Sequence, residues 1–242
     1  MKFQILSNDV FQRFSIISGV TQVNKKIFPE NGFSLASNGK SSSDQFMRNL
    51  NYFASKIGFT VNQIKSVNQV HGDKIEEVNT DSFVVDADAM ITREKNLLLM
   101  IKIADCAGIL IYDPVKEIIA AVHSGWKGTS LNIVPKTINR MINEFGCSPI
   151  NLLVYISPCA SGKNYEVQQD VAILFPRSTI QISPSKYLFS NRREIKYQLD
   201  SMSIPRENIE VSDICNVENI NFHSYRRDRD LSGRMGVFIA MR

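Results

Sequence analysis

Histidine is scarce in this chain of 242 residues: only His71, His123 and His223 occur, beside four cysteines (Cys106, Cys147, Cys159 and Cys215) and the single Trp126. A blue-copper centre alone takes about two His and one Cys, and a further copper cluster needs several more imidazoles. The stock excludes a self-contained multicopper oxidase. Long apolar runs are missing too. Stretches such as LLLMI (97–101) and IIAAV (118–122) fall far short of the ~20 apolar residues that span a bilayer. The opening MKFQILSNDVFQRF has one early Lys but neither the ~7–15-residue apolar core nor the small-residue cleavage site of a secretory leader. The expectation is a cytoplasmic protein whose cysteines stay reduced and act as ligand, nucleophile or packing. An excess of one charge is also lacking: 28 Lys+Arg against 24 Asp+Glu leave +4. That balance points to no nucleic acid and no membrane partner, although it suits a small anionic substrate.

What is present is ordinary globular material, 43% hydrophobic and 21% charged, enough to bury a core without disulfide or metal staples. No composition break divides residues 1–242, so one domain is expected. The stretch SNGKSSS (37–43) reads as a loop. Asp44 or Ser43 can then cap a helix whose Phe46, Leu50, Phe53 and Ile57 share a face, with Gly58 as its stop. Residues 96–103, 108–112 and 118–123 are short β-branched runs, two of them separated by the turn signal Asp113–Pro114. A helix follows over 132–145, capped by Asn132 and closed by Gly146; Pro135 fits only near its start, where backbone N–H groups lack partners. A strand at 152–156, a helix after Glu166 ending at Pro176, a helix over 194–202 and a strand at 236–241 complete the pattern. The class is α/β (mixed α+β), a single compact domain of mixed sheets covered by helices.

Three chemically capable residues stand where strands give way to loops: His71 in VNQVHG, Cys106 in ADC and His123 in AVHSGW. Strand ends are where α/β folds gather groups from distant sequence. Two imidazoles and a thiolate suit Zn²⁺, and three protein ligands leave a fourth position for water or substrate, as in catalytic zinc sites. Copper also binds such donors, and more tightly. Spacing alone leaves a second reading open, in which Cys106 is a small core residue. A third is a metal-free cysteine hydrolase with Cys106 as nucleophile, His123 as base and Asp88 or Asp105 as orienter.

The segments NQVHG (68–72), DADAMIT (86–92), IADCAGILIYDP (103–114), AAVHSGWKG (120–128), ISPCASGKNYEV (156–167) and SYRRDRDLSGRMG (224–236) resemble, in order, the motifs of the laccase-domain (multicopper polyphenol oxidase, YfiH-like) family. The likeness covers residues 64–242. It implies the YfiH-like fold and a zinc site of His71, Cys106 and His123. It implies phosphorolysis of adenosine, inosine, guanosine and methylthioadenosine, and deamination of adenosine. Purine nucleosides and phosphate would then be the partners, with the protein a monomer or homodimer. The alternative the family name carries is a polyphenol oxidase with bound copper.

Under this resemblance the remaining residues take roles. Deamination needs a carboxylate that shuttles protons; Asp88 and Asp105 are the candidates, and Asp105 can instead orient Cys106 or, like Asp88, merely cap a turn. Phosphate needs cations or helix N-termini: Lys127 and Gly128 precede the 132–145 helix, and Arg226, Arg227 and Arg234 lie in the last block, which can also be a solvated charged face. Trp126 would wall the pocket or stack on a purine, and Tyr165 would line it or join the core. His223 reads as structural, Cys147 as packing, and Cys159 and Cys215 as buried. The chain departs from the family pattern at Ile17, where an Arg is usual. A Ser-Leu-Asn signal is reduced to Ser34-Leu35-Ala36. Gly108 stands where Pro is common, and Ser157 where Gly is common.

Overall fold

Apolar residues on both faces of consecutive strands demand a cover on each side, and this chain supplies it with a second sheet and with helices. The structure, a computed structural model, describes residues 4–25, 32–35 and 43–242. A central six-stranded sheet runs in the order β13 (Ile209–Val211), β9 (Leu153–Ile156), β7 (Ala107–Asp113), β8 (Ile118–Ser124), β5 (Ala89–Thr92), β4 (Ile75–Glu77). Its two outermost pairs are parallel and the rest antiparallel. A five-stranded sheet runs β1 (Ile5–Leu6), β2 (Ile16–Thr21), β14 (Met235–Met241), β6 (Leu98–Ile103), β3 (Ile64–Lys65), antiparallel except for β6 with β3. A small antiparallel sheet joins β10 (Glu166–Val167), β12 (Lys186–Phe189) and β11 (Thr179–Ser183).

The two large sheets pack face to face through Leu99, Ile101, Val237 and Ile239 against Leu110, Ile119, Ala121 and Tyr155. The outer face of the central sheet, with Ile109, Ile111, Val122 and Val154, is covered by α3 (Ile133–Phe145) and α5 (Asn191–Ser201). The outer face of the other sheet, with Leu98, Met100 and Phe238, is covered by α1 (Ser43–Ile57). The result is four layers, helix–sheet–sheet–helix. No helix among the described residues is long and apolar enough to cross a membrane.

Both long predicted helices form. The helix α1 carries Leu50 and Phe53 into the core and Gly58 follows it at φ 71°; the position before Ser43, and the predicted loop at 37–42, lie outside the described residues. Helix α3 starts directly after Asn132 and places Pro135 in its first turn. The expected cap differs: Asn132 sits in the left-handed region at φ 58° and its side chain makes no cap bond. Its Oδ1 instead accepts from Gln198 Nε2 at 3.2 Å, tying α3 to α5. The predicted helix from Glu166 to Pro176 is replaced by strand β10 and one turn, α4 (Gln169–Ala172). Glu166 and Val167 pair with Leu188 and Tyr187, a partner that local periodicity cannot reveal. The helix expected over 194–202 begins earlier, at Asn191, because the Ser190 hydroxyl accepts from Arg193 N–H and caps it.

Two of the departures noted in the sequence touch each other. Gly108 N–H donates to the Ser157 hydroxyl at 2.9 Å, and Ser157 N–H returns a bond to the Gly108 carbonyl. Proline at 108 would have no N–H to give, and a Cβ there would stand 2.9 Å from Val237 Cγ2. Ser157→Ala leaves this N–H buried without a partner, which costs about 1–3 kcal/mol; urea unfolding of the variant against wild type measures it, at unchanged m.

Candidate functional site

Strand register brings the distant residues together. Ala107 pairs with Ser124 and Gly108 with His123, so Cys106 and His123 emerge at one end of neighbouring strands. Ala89 pairs with Val122, which sets Asp88 beside His123; His123 N–H donates to the Asp88 carbonyl at 2.7 Å. The fully buried Asp88 carboxylate then accepts from four donors: N–H of Val70 (3.2 Å), His71 (3.0 Å) and Gly72 (2.7 Å), and His123 Nδ1 (2.7 Å). One side chain thus fixes the His71 loop and the His123 ring, leaving Nε2 of that ring for Cys106.

A second clamp acts from Gln69, whose amide donates to the Lys102 carbonyl and accepts from Lys102 N–H, both at 2.8 Å. It fastens the same loop to β6, the strand that leads into Asp105 and Cys106. Two residues here adopt left-handed backbone, His71 at φ 61° and Asp105 at φ 83°, a strain of ~1–3 kcal/mol each that surrounding bonds must hold. After His123 the chain turns through Gly125 into α2 (Trp126–Ser130). A Cβ on Gly125 would lie 3.0 Å from Cys106 Sγ and 3.3 Å from His71 Cδ2, so glycine lets the three side chains meet. Thr129 and Ser124 lock this turn to α5 through Asn191, with three buried bonds of 2.7 Å.

Donor atoms of His71, Cys106 and His123 all lie within 4.8 Å of one another. The His rings meet edge to face with centroids 4.8 Å apart. Burial pushes the Cys106 thiol up, but the His123 charge and hydrogen bonds from both imidazoles bring its pKa down to about 6. Burial pushes His123 down, but the Cys106 thiolate and the Asp88 carboxylate raise it to about 9. Without a metal, the site at neutral pH is a thiolate–imidazolium pair resting on a carboxylate. The donor set fits a soft-to-borderline divalent ion: one sulfur and two nitrogens, with outer bonds already in place.

The three residues open into a cleft of about 600 Å³. Its lining mixes aromatic rings with cationic side chains. Trp126, Tyr165 and Tyr225 offer aromatic surface, while Lys102, Arg226, Arg229 and Arg234 offer positive charge. Arg226 stacks over Tyr165 at 4.3 Å and donates to the Glu166 carbonyl. Asp105 is the acid of the lining: burial raises its pKa against the pull of the Ser224 hydroxyl and Arg226 N–H. Its Oδ2 accepts Arg226 N–H at 2.6 Å, and Oδ1 is buried without a hydrogen-bond partner.

Of the residues singled out in the sequence, His71, Cys106, His123, Asp105, Trp126, Tyr165, Arg226 and Arg234 line this cleft, with Asp88 directly behind the histidines. Two stand elsewhere. Lys127 is exposed on α2, its ammonium 5.6 Å from the Trp126 ring centroid. Arg227 turns away to the carbonyls of Asn216, Val217 and Phe222 and to Asp228. Ile17 packs on the α1 side of the five-stranded sheet and is not a lining residue. His223 is buried against the Phe33 carbonyl and Gly233 N–H, with burial holding its pKa down at about 4. Lys102, Gln69, Tyr225 and Arg229 also line the cleft; Gln69 stands in the NQVHG block and Tyr225 and Arg229 in the last block, whereas Lys102 has no signal beyond its place in a strand run.

The ionisation state is directly testable. In metal-stripped protein, Cys106 alkylation by iodoacetamide should rise through pH ~6 rather than near the ordinary thiol range, followed by peptide mass mapping. A midpoint above 8 would contradict the thiolate–imidazolium pair.

The family described as multi-copper polyphenol oxidoreductase laccase matches residues 20–242. A purine nucleoside phosphorylase of Clostridium acetobutylicum is 34% identical over 218 residues, 87% of this chain and 88% of that protein. One from Deinococcus radiodurans is 33% identical over 196 residues, 78% and 74% of the two chains. Among solved structures, YlmD of Geobacillus stearothermophilus superposes with a TM-score of 0.90 at 23% identity over 99% of this chain and 98% of that one. YfiH of Bacillus licheniformis gives 0.87 at 24%, over 94% and 93%. These two show the fold alone. With its family match spanning nearly the whole length and its relatives named as enzymes, the chain belongs to the multi-copper polyphenol oxidoreductase laccase family, in its YfiH/YlmD fold.

Proposed function

We propose that this protein is a zinc-dependent purine nucleoside phosphorylase that also deaminates adenosine, acting in the cleft above His71, Cys106 and His123. The observation that carries the reading is the pairing of a two-nitrogen, one-sulfur donor cluster with a cleft whose lining combines aromatic rings and cationic side chains. His71, Cys106 and His123 would hold the ion, with Asp88 orienting His123. When bound, zinc supplies a Lewis acid with one open position.

The chain's own groups do the rest. Trp126, Tyr165 and Tyr225 give a purine flat surfaces to lie against. Lys102, Arg226, Arg229 and Arg234 hold phosphate beside the ribose. A phosphate oxygen bonds to ribose C1′ as the bond to the purine nitrogen breaks, and the departing base takes a proton. Asp105, whose carboxyl is made easier to protonate by burial, is the group proposed to give that proton; the same carboxyl would move protons during deamination. Asp88 is already engaged by four donors and serves as positioning residue. Arg227 supports the 216–228 segment, and Lys127 acts through the Trp126 ring.

A second reading has its own observation. Cys106, His123 and Asp88 also make a nucleophile–base–orienter series, with His123 Nδ1 2.7 Å from Asp88 Oδ1, as a metal-free cysteine hydrolase requires.

Purified protein, assayed for metal and incubated with adenosine, separates the readings. Phosphate-dependent release of adenine and ribose 1-phosphate, inosine formation without phosphate, about one zinc per chain, and loss of both reactions on chelation are expected. Neither product from zinc-replete protein would end the proposal; activity that survives chelation but not thiol alkylation favours the hydrolase. Asp105→Asn should lower kcat by about 10²–10⁴ at unchanged zinc content, whereas a merely structural Asp105 would shift the melting temperature and leave kcat within a few-fold.

A further inference from the structure

Two cysteines lie outside the site and close to each other. Cys159 follows β9 and Cys215 follows β13, and these neighbours are parallel, with Ile156 paired to Val211. Their pairing resumes beyond the strands in an isolated parallel rung that joins Cys159 to Cys215. Asn216 N–H donates to the Cys159 carbonyl at 3.3 Å and completes that rung. Partners across a sheet rung are ~4.7–4.9 Å apart, with both Cβ atoms on one face. A disulfide accepts Cα separations of about 4.4–6.8 Å. Both residues are free thiols here.

The two sulfurs have different surroundings. Cys215 Sγ accepts from Ser161 N–H at 3.3 Å and Asn164 Nδ2 at 3.4 Å. It lines a surface cavity of about 490 Å³ together with Ser161, Lys163 and Glu218. Cys159 is fully buried, 3.8 Å from Arg192 Nη2. Burial pushes both thiols up; at Cys215 the hydrogen bonds outweigh it and the pKa falls, while at Cys159 burial prevails.

We propose that Cys159 and Cys215 form an oxidisable dithiol, in which hydrogen peroxide reaching the cavity oxidises Cys215 and Cys159 closes the disulfide. The Cys215 thiolate attacks a peroxide oxygen; the O–O bond breaks and the leaving hydroxide, on taking a proton, is water. Cys159 sulfur then attacks the Cys215 sulfenic acid. The S–S bond forms, the S–O bond breaks, and the departing hydroxide leaves with the Cys159 proton as a second water. Two thiols are oxidised and one peroxide is reduced. The new bond would stand next to Ala160, whose N–H holds the Asp105 carbonyl at 3.0 Å, so oxidation stiffens the wall behind the cleft.

Full-length protein as purified is treated with hydrogen peroxide, alkylated in denaturant and mapped by mass spectrometry without reduction. The expected product is a 159–215 linked peptide that dithiothreitol releases, with no accumulation of dimedone-reactive Cys215. In Cys159→Ser, dimedone should instead trap Cys215. Sulfinic acid at Cys215 of the wild type while Cys159 stays alkylatable, or linkage of either residue to Cys106 or Cys147, would overturn the proposal. The wild-type map decides the matter even if the variant folds poorly.

Discussion

The Asp88 carboxylate accepts four hydrogen bonds at a place with no exposed surface, and three chain segments meet because of it. A buried carboxylate is tolerable only when its lone pairs are filled. Here the donors are the backbone of the His71 loop and the ring of His123. Burial alone would raise its pKa; the bonds from His123 and Gly72 overcome this and hold it low. The Cys106 thiolate and this anion together raise the His123 pKa, and the His123 charge in turn lowers that of Cys106. The placing of the His71 loop and the orientation of the His123 ring both rest on one side chain.

Asp105 shows the opposite treatment of the same chemical group. It has two donors, the Ser224 hydroxyl and the N–H of Arg226, and an oxygen with none, so burial wins and its pKa rises. Two carboxyls on adjoining segments are pushed apart in acidity by hydrogen-bond count more than by distance from water. The charged groups facing them follow a similar division. Arg227 is satisfied by carbonyls and builds the wall, whereas Arg229 and Lys102 face the cleft.

Much of this was readable before any coordinates. The spacing of Phe46, Leu50, Phe53 and Ile57 gave α1, and the apolar face ending at Gly146 gave α3, because both helices bury one stripe against a sheet. The three donors stood out through residue type and their positions at strand ends. What stayed hidden was set by partners distant in sequence. Glu166–Val167 pairs with a strand some twenty residues on. Asn132 serves Gln198 rather than its own helix. Lys102 sits in a run that reads as pure strand, and the Gln69 amide grips the main chain at Lys102, which no side-chain pattern encodes. Asp88 and Asp105 looked alike in sequence, since turn chemistry and site chemistry use the same residue; only the count of donors parted them.

The contact between Gly108, Ser157 and Val237 constrains how this chain can change at all three positions. From the present pair, either single replacement is uphill: losing the hydroxyl strands an amide, and gaining a ring removes the amide while crowding a valine on the opposite sheet. A path that exchanges both residues has to cross that ridge or first shrink the side chain at 237. Residues in two different layers are therefore expected to covary as a triplet across descendants of this sequence, although none of them lines the cleft.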